Sequence, residues 1–150
     1  MSNGAAHFAG MIACNSSIKF DNLSCGCFKT KTGLWILDSG TTHHITSNKS
    51  HLSNITILPY PLLVDLLNGY KVKVTEVRSM KLAPVIILHK VYFIPSFKYN
   101  LVSIKSLVAH LKCISIFSDS SCMLQAISIK RPLDVGRAHD GLYFLCSTCL

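Results

Sequence analysis

The sequence has few charged residues, and fewer of them are acidic than basic. Asp and Glu contribute 7 of 150 residues against 15 Lys and Arg, which gives a formal net charge of +8. Charged residues make up 15% of the chain and hydrophobic residues 49%, which excludes a disordered polyelectrolyte and supports one folded domain. The positive excess predicts weak, non-specific attraction to nucleic acid, but scattered basic residues predict no dedicated groove.

Long apolar runs and a secretory leader are also lacking. No run approaches the roughly 18 residues that span a bilayer, and the mildly apolar stretch 5–14 has no basic leader. We therefore expect an intracellular, cytoplasmic protein with no membrane partner and with its seven cysteines reduced. Cys146-x-x-Cys149 has half of a zinc-site spacing, but no second pair lies at a suitable distance, so we predict neither metal nor cofactor.

Short apolar stretches separated by turn signals begin at Leu34 and predict a mainly β fold. Residues 1–33, rich in Ser, Asn, Gly and Ala, predict a flexible lead-in. Asn68-Gly69 predicts a hairpin, and the spacing of apolar residues over 100–111 predicts one short helix near the C-terminal part. The predicted strands are Leu34–Leu37, Leu62–Leu67, Tyr70–Val77, Met80–Leu82, Val85–Ile94, Cys113–Phe117 and one near Cys122–Ile127.

An apolar strand that ends on an acid is the most informative motif. Trp35-Ile36-Leu37 runs into Asp38-Ser39-Gly40-Thr41-Thr42, so the sequence presents a carboxylate at the edge of a dry core. Gly40 permits a sharp turn, and hydroxyl residues can hydrogen-bond around it. Burial of a lone carboxylate is costly unless it is hydrogen-bonded or shares a proton. The motif is typical of an aspartic protease loop, although Asp-Ser-Gly also ends many strands as a plain turn.

From Trp35 to about Leu145 the chain resembles the protease region of the Pol polyprotein of copia-type LTR retrotransposons. The matching blocks are Trp35–Gly40, then Thr42 with His44-Ile45, Asn68-Gly69, and the specific run Val91–Ser103. The start of the pre-integrase region is resembled by Cys122 with Gln125 and by the closing block Gly141–Leu145. The resemblance therefore implies a small retropepsin-like β-barrel over residues 34–128 and a truncated pre-integrase-like segment over 129–150.

The resemblance also implies a catalytic mechanism and the residues that carry it. Retropepsins supply one catalytic Asp per subunit, and this sequence holds a single Asp-Ser-Gly, so a homodimer is expected. Two carboxylates about 3 Å apart share one proton, so that one activates water while the other polarises the scissile carbonyl. The implied catalytic residues are Asp38, Ser39 and Gly40. Ser39 and Thr41 would brace the carboxylates, and Gly40 would let the substrate backbone approach closely. The implied substrate-binding residues are Thr41, Thr42, Asn68 and Gly69, the last two on a flap.

The implied substrate is the Gag-Pol polypeptide of the element, and the implied location is a virus-like particle if the element is active. Three positions depart from the family pattern: His43 stands where Asp is usual, Arg78 lies where Gly is usual, and Thr41 is a mild replacement of the usual Ala. The segment Asn100–Ser103 resembles the piece that packs against the catalytic loop in retropepsins. Two alternatives stay open: a catalytically inactive retrotransposon-derived remnant and a basic nucleic-acid-associated β-domain.

Overall fold

The computed structural model describes residues 26–28, 30–65, 69–126 and 130–150. A short 3₁₀ helix, Gly26–Phe28, precedes ten strands and one α-helix in this part of the chain. The elements, in chain order, are β1 (Trp35–Asp38), β2 (Ile45–Thr46), β3 (Leu52–Asp65), β4 (Lys71–Ala83), β5 (Ile86–Phe93), β6 (Asn100–Ser103), α1 (Ile104–Leu111), β7 (Ile114–Phe117), β8 (Ser121–Gln125), β9 (Leu133–His139) and β10 (Leu142–Leu145). The mainly β fold with one short helix is confirmed.

All ten strands form one sheet in the order β3-β4-β5-β2-β6-β1-β10-β9-β8-β7. Among the described residues the sheet is not closed, and β3 and β7 are its edges. The strand that carries the motif lies in the interior, because β1 pairs in parallel with β6 and antiparallel with β10. Side chains alternate along β1, so Trp35 and Leu37 enter one core cluster and Ile36 enters the other.

β3 and β4 form a hairpin at the position where the sequence predicts one. Asp65 pairs with Lys71, and Gly69 between them has a φ of 83°, which glycine adopts readily. Asn68 lies outside the described residues, as do the predicted lead-in up to residue 25 and the ends of the predicted strands at 66–67 and 127. β3 starts ten residues earlier than the predicted strand because it is an exposed edge strand with no clean alternation.

The helix begins later than its apolar spacing predicts. Residues Asn100–Ser103 form β6, and α1 starts at Ile104. Ser103 is the N-cap, with an extended backbone and a hydroxyl that accepts a hydrogen bond from the Ser106 N–H at 3.1 Å. The parallel pairing with β1 therefore overrides helical spacing at Leu101, which is buried as part of a strand.

The C-terminal segment supplies two strands that sequence patterns do not predict. β10 lies directly beside β1, and β9 pairs with β10. Val135, Phe144 and Leu145 are buried in the two core clusters. These residues therefore complete the sheet that holds Asp38, while their assignment to a pre-integrase-like segment stays a prediction.

Gly136 of β9 is expected to tolerate no side chain. A Cβ there would overlap Leu37 Cδ1 of β1 and lie 2.9 Å from the Phe144 carbonyl oxygen. We expect Gly136→Ala to lower the free energy of unfolding by about 1–3 kcal/mol, measured by urea denaturation. Gly141→Ala is the control, since the same methyl group meets nothing within 4 Å and only the φ of 78° opposes it. A Gly136→Ala protein as stable as the parent would contradict this packing.

Candidate functional site

The Asp38 carboxylate lies at the end of β1 and is only 8% exposed. Its Oδ1 accepts a hydrogen bond from the Gly40 N–H at 2.7 Å. Its Oδ2 is buried and has no hydrogen-bond partner in the described part of the chain. Burial raises the pKa of Asp38, while the backbone N–H groups of Gly40 and Thr41 act in the opposite direction. The acid is thus poised to hold a proton more readily than an ordinary Asp.

Two serines hold the loop that follows Asp38. The Ser103 hydroxyl donates to the Thr41 carbonyl at 2.7 Å, and the Ser106 hydroxyl donates to the Thr42 carbonyl at 2.6 Å. Because Ser103 is the register partner of Asp38, the end of β6 braces the loop directly. The predicted packing of Asn100–Ser103 against the loop is confirmed. The role of Ser106 was missed, because the Thr42 carbonyl that it binds lies 64 residues away in the sequence and no local pattern marks the contact.

A buried histidine closes the same loop. The Nδ1 of His44 accepts a hydrogen bond from the Ser103 N–H at 3.0 Å, which assigns the ring proton to Nε2. The side chain is 3% exposed, and burial lowers its pKa to about 4, with smaller contributions from His43, His89 and His110. His44 is therefore a neutral structural acceptor at neutral pH. The sequence placed it in a matching block but gave it no role.

The remaining predicted site residues occupy different environments. Thr41 is buried, and its Oγ1 has no hydrogen-bond partner among the described residues. Ser39 is exposed, and Gly69 is exposed on the hairpin. Thr42 Oγ1 lies 2.9 Å from His43 Nδ1. Within one chain, the backbone N–H of Gly40 holds the carboxylate, and the roles predicted for the neighbouring side chains in a dimer stay predictions.

A groove of about 330 Å³ lies beside this loop, between β5 and α1. His43 stacks on Tyr92 with ring centroids 4.4 Å apart, and the rings of His89 and His110 approach to 4.4 Å. Burial, followed by the charges of Lys90 and Lys105, lowers the pKa of His43. The His43 ring is thus packed against Tyr92, whereas the resemblance implies an acidic side chain at this position. Arg78, the second departure, is ion-paired with Glu76 on the same strand.

The described ranges, 26–28, 30–65, 69–126 and 130–150, contain neither a metal-ligand cluster nor a membrane-spanning helix. No group of three or more His, Cys, Asp or Glu residues in these ranges is arranged to hold a metal ion. None of the helices in them combines the length and the apolar character needed to cross a bilayer.

The mainly β fold agrees with the family and the relatives that the sequence matches. Residues 35–111, just over half of the chain, match the family model of the Pol polyprotein β-barrel domain, and the chain belongs to that family. It is 32% identical over 114 residues to the retrovirus-related Pol polyprotein from transposon RE2 of Arabidopsis thaliana, and 30% identical over 115 residues to that from transposon RE1. Each match covers 73% of this chain and only 8% of the relative. No solved structure matches the chain.

Proposed function

We propose that this chain is the aspartic endopeptidase domain of a copia-type retrotransposon Pol polyprotein, which cleaves Gag-Pol inside the cell as a homodimer. The observation that carries the proposal is the buried Asp38 carboxylate, with one oxygen held by the Gly40 N–H and the other without a hydrogen-bond partner among the residues that the structure describes. Membership of a Pol polyprotein family supplies the polyprotein context.

The proposed chemistry needs two copies of Asp38. The raised pKa of Asp38 favours a protonated member of the pair, and the second carboxylate accepts a proton from the attacking water. The protonated acid polarises the scissile carbonyl as the water oxygen bonds to its carbon. Burial strengthens both interactions because a low-dielectric surrounding weakens charge screening.

The loop geometry supports this chemistry. The Ser103 and Ser106 hydroxyls fix the Thr41 and Thr42 carbonyls, so the turn after Asp38 is held from outside itself. A catalytic carboxylate needs such support, since small displacements of a reacting group are costly. In this proposal the hairpin bearing Gly69 serves as the flap and the exposed Ser39 lies at the dimer contact.

Cleavage of a peptide that spans a Gag-Pol junction tests the proposal. We expect Asp38→Asn to lower kcat/KM at least about 100-fold, because an amide cannot exchange the proton. Asp119→Asn is the matched control, since Asp119 is exposed and far along the chain from the motif. Sedimentation equilibrium of the active wild-type protein is expected to show a dimer. Equal cleavage by wild type and Asp38→Asn would overturn the proposal, as would cleavage by a strict monomer.

A second candidate function is a folded but catalytically inactive remnant of the element. The observation that favours it is that Asp38 Oδ2 is inaccessible within one chain, so the loop would have to open before two copies could meet. The packing of His43 on Tyr92 opposes such opening. A wild-type protein that stays monomeric at high concentration and cleaves none of the junction peptides would establish this candidate.

A further inference from the structure

The C-terminal turn brings two cysteine thiols together. Cys149 N–H donates to the Cys146 carbonyl at 3.2 Å, so residues 146–149 close a turn with the two cysteines at its ends. The ends of such a turn lie less than about 7 Å apart at Cα, which is within the range that a disulfide bridges. The Cys149 side chain also helps to lower the pKa of the Cys146 thiol. None of the described cysteines is in a disulfide in this structure.

The backbone of Cys27, far from the turn in the sequence, anchors the turn. The Ser147 N–H and the Ser147 hydroxyl both donate to the Cys27 carbonyl, at 2.6 and 2.9 Å. The Cys27 side chain also contributes to the lowered pKa of the Cys146 thiol. The Cys146–Cys149 turn is therefore anchored, and its thiols share a fixed polar environment.

That environment favours a thiolate. Burial alone would raise the pKa of Cys146, but hydrogen bonds from Thr148, Cys149 and Cys27 outweigh it and lower the pKa to about 7. Burial and the neighbouring Cys146 raise the pKa of Cys149 to about 11. The pair thus loses its first proton near neutrality, and the second proton stays on the other sulfur.

We propose that Cys146 and Cys149 form a reversible disulfide when the protein meets a peroxide oxidant. The thiolate of the pair attacks one peroxide oxygen, the O–O bond breaks, and a sulfenic acid and hydroxide are formed. The hydroxide takes a proton from solvent and becomes water. The second sulfur then attacks the sulfenic sulfur, so that an S–S bond forms, the S–O bond breaks, and the departing hydroxide takes the thiol proton as water. Two electrons pass from the two sulfurs to the peroxide, and a dithiol reductant reverses the change.

The other described cysteines provide a contrast. Cys122 is fully buried in the core, and burial raises its pKa to about 12. Burial also raises the pKa of Cys113. Both remain protonated thiols at neutral pH, and only thiolates react readily with peroxide. Cys146 is itself buried, with 2% of its surface exposed, whereas Cys149 is partly exposed at the C-terminal turn. Oxidant therefore reaches the pair from the Cys149 side.

Tryptic mapping tests the proposal on the intact chain. Cleavage after Arg137 releases residues 138–150, which contain Cys146 and Cys149 and no other cysteine. The protein is treated with graded hydrogen peroxide, denatured in N-ethylmaleimide and digested. We expect peptide 138–150 to lose both labels and the mass of two hydrogen atoms, and dithiothreitol to restore labelling. The loss should occur at a peroxide concentration at least about tenfold below that which affects peptide 113–130, which carries Cys113 and Cys122.

Two variants show which cysteines form the disulfide. Cys149→Ser should abolish the change in peptide 138–150, whereas the matched control Cys113→Ser should leave it intact. Circular dichroism verifies that both variants are folded. Full labelling of peptide 138–150 at concentrations that already oxidise peptide 113–130 would overturn the proposal. A cross-link between peptides 138–150 and 20–29 would also overturn it, because Cys25 or Cys27 would then be the partner.

Discussion

Replacement of Trp35 by Ala is expected to lower the free energy of unfolding by about 3–5 kcal/mol. Trp35 is the single tryptophan of the chain, is fully buried, and begins the strand that ends on Asp38. Its indole N–H donates to the Thr32 hydroxyl at 2.9 Å, so truncation loses both packing and a buried hydrogen bond. Domains of this size are stable by roughly 5–15 kcal/mol, and we therefore expect a drop in Tm of about 10 °C or more by circular dichroism.

Two further substitutions separate the contributions at Trp35. Thr32→Val removes the acceptor and leaves the ring in place, so it should cost about 1–3 kcal/mol. Tyr60→Ala removes an aromatic ring that is 80% exposed and should change stability by less than about 0.5 kcal/mol. A Trp35→Ala protein that melts like Tyr60→Ala would show that β1 is not the packed centre of the sheet.

Acid is expected to destabilise the protein through His44 by roughly 3 kcal/mol between about pH 7 and pH 4. The pKa of His44 falls from 6.5 to about 4 in the folded chain because the ring is buried. Between about pH 6.5 and pH 4, His44 therefore binds a proton in the unfolded chain but stays neutral in the folded chain. The stability contributed by neutral His44 is present at neutral pH and is lost as the pH falls through this window.

His44→Asn isolates this contribution, because the amide oxygen can accept the Ser103 N–H and does not titrate. Urea unfolding of both proteins between pH 7 and pH 4 should show wild type losing roughly 3 kcal/mol relative to the variant. His51→Asn makes the same change at an exposed position and is the matched control. A stability difference between wild type and His44→Asn that stays constant with pH would contradict the burial of a neutral ring.

The same histidine connects stability to the candidate site. His44 and Thr41 both bond to Ser103, so a protonated His44 would lose its acceptor role at the point where the loop after Asp38 is braced. We therefore expect acid unfolding to begin at this loop. The buried Asp38 has the opposite tendency, since its raised pKa makes the protonated acid the better-tolerated form.

Local patterns were sufficient for several features of this protein. An apolar stretch that ends on Asp-Ser-Gly predicted β1 and its terminal carboxylate, and Asn68-Gly69 predicted the hairpin of β3 and β4. The resemblance read from the blocks between Trp35 and Leu145 agrees with membership of the Pol polyprotein β-barrel domain family. These features rest on residues that are close in sequence, where propensity and spacing act directly.

Contacts between distant residues decided the rest. Asn100–Ser103 has helical spacing, yet it is a strand because β1 offers a parallel partner more than sixty residues away. β10 was not predicted because its neighbour β1 lies about a hundred residues upstream in the chain. The Cys27 carbonyl meets Ser147 only because the fold brings these two distant segments together. The sequence alone thus determined several strands, the hairpin and the relationship to Pol polyproteins. Pairing across the sheet decided the remaining strands, the burial of Asp38, the bracing of its loop and the anchoring of the cysteine turn, because long-range pairing is selected by the packing of the whole core.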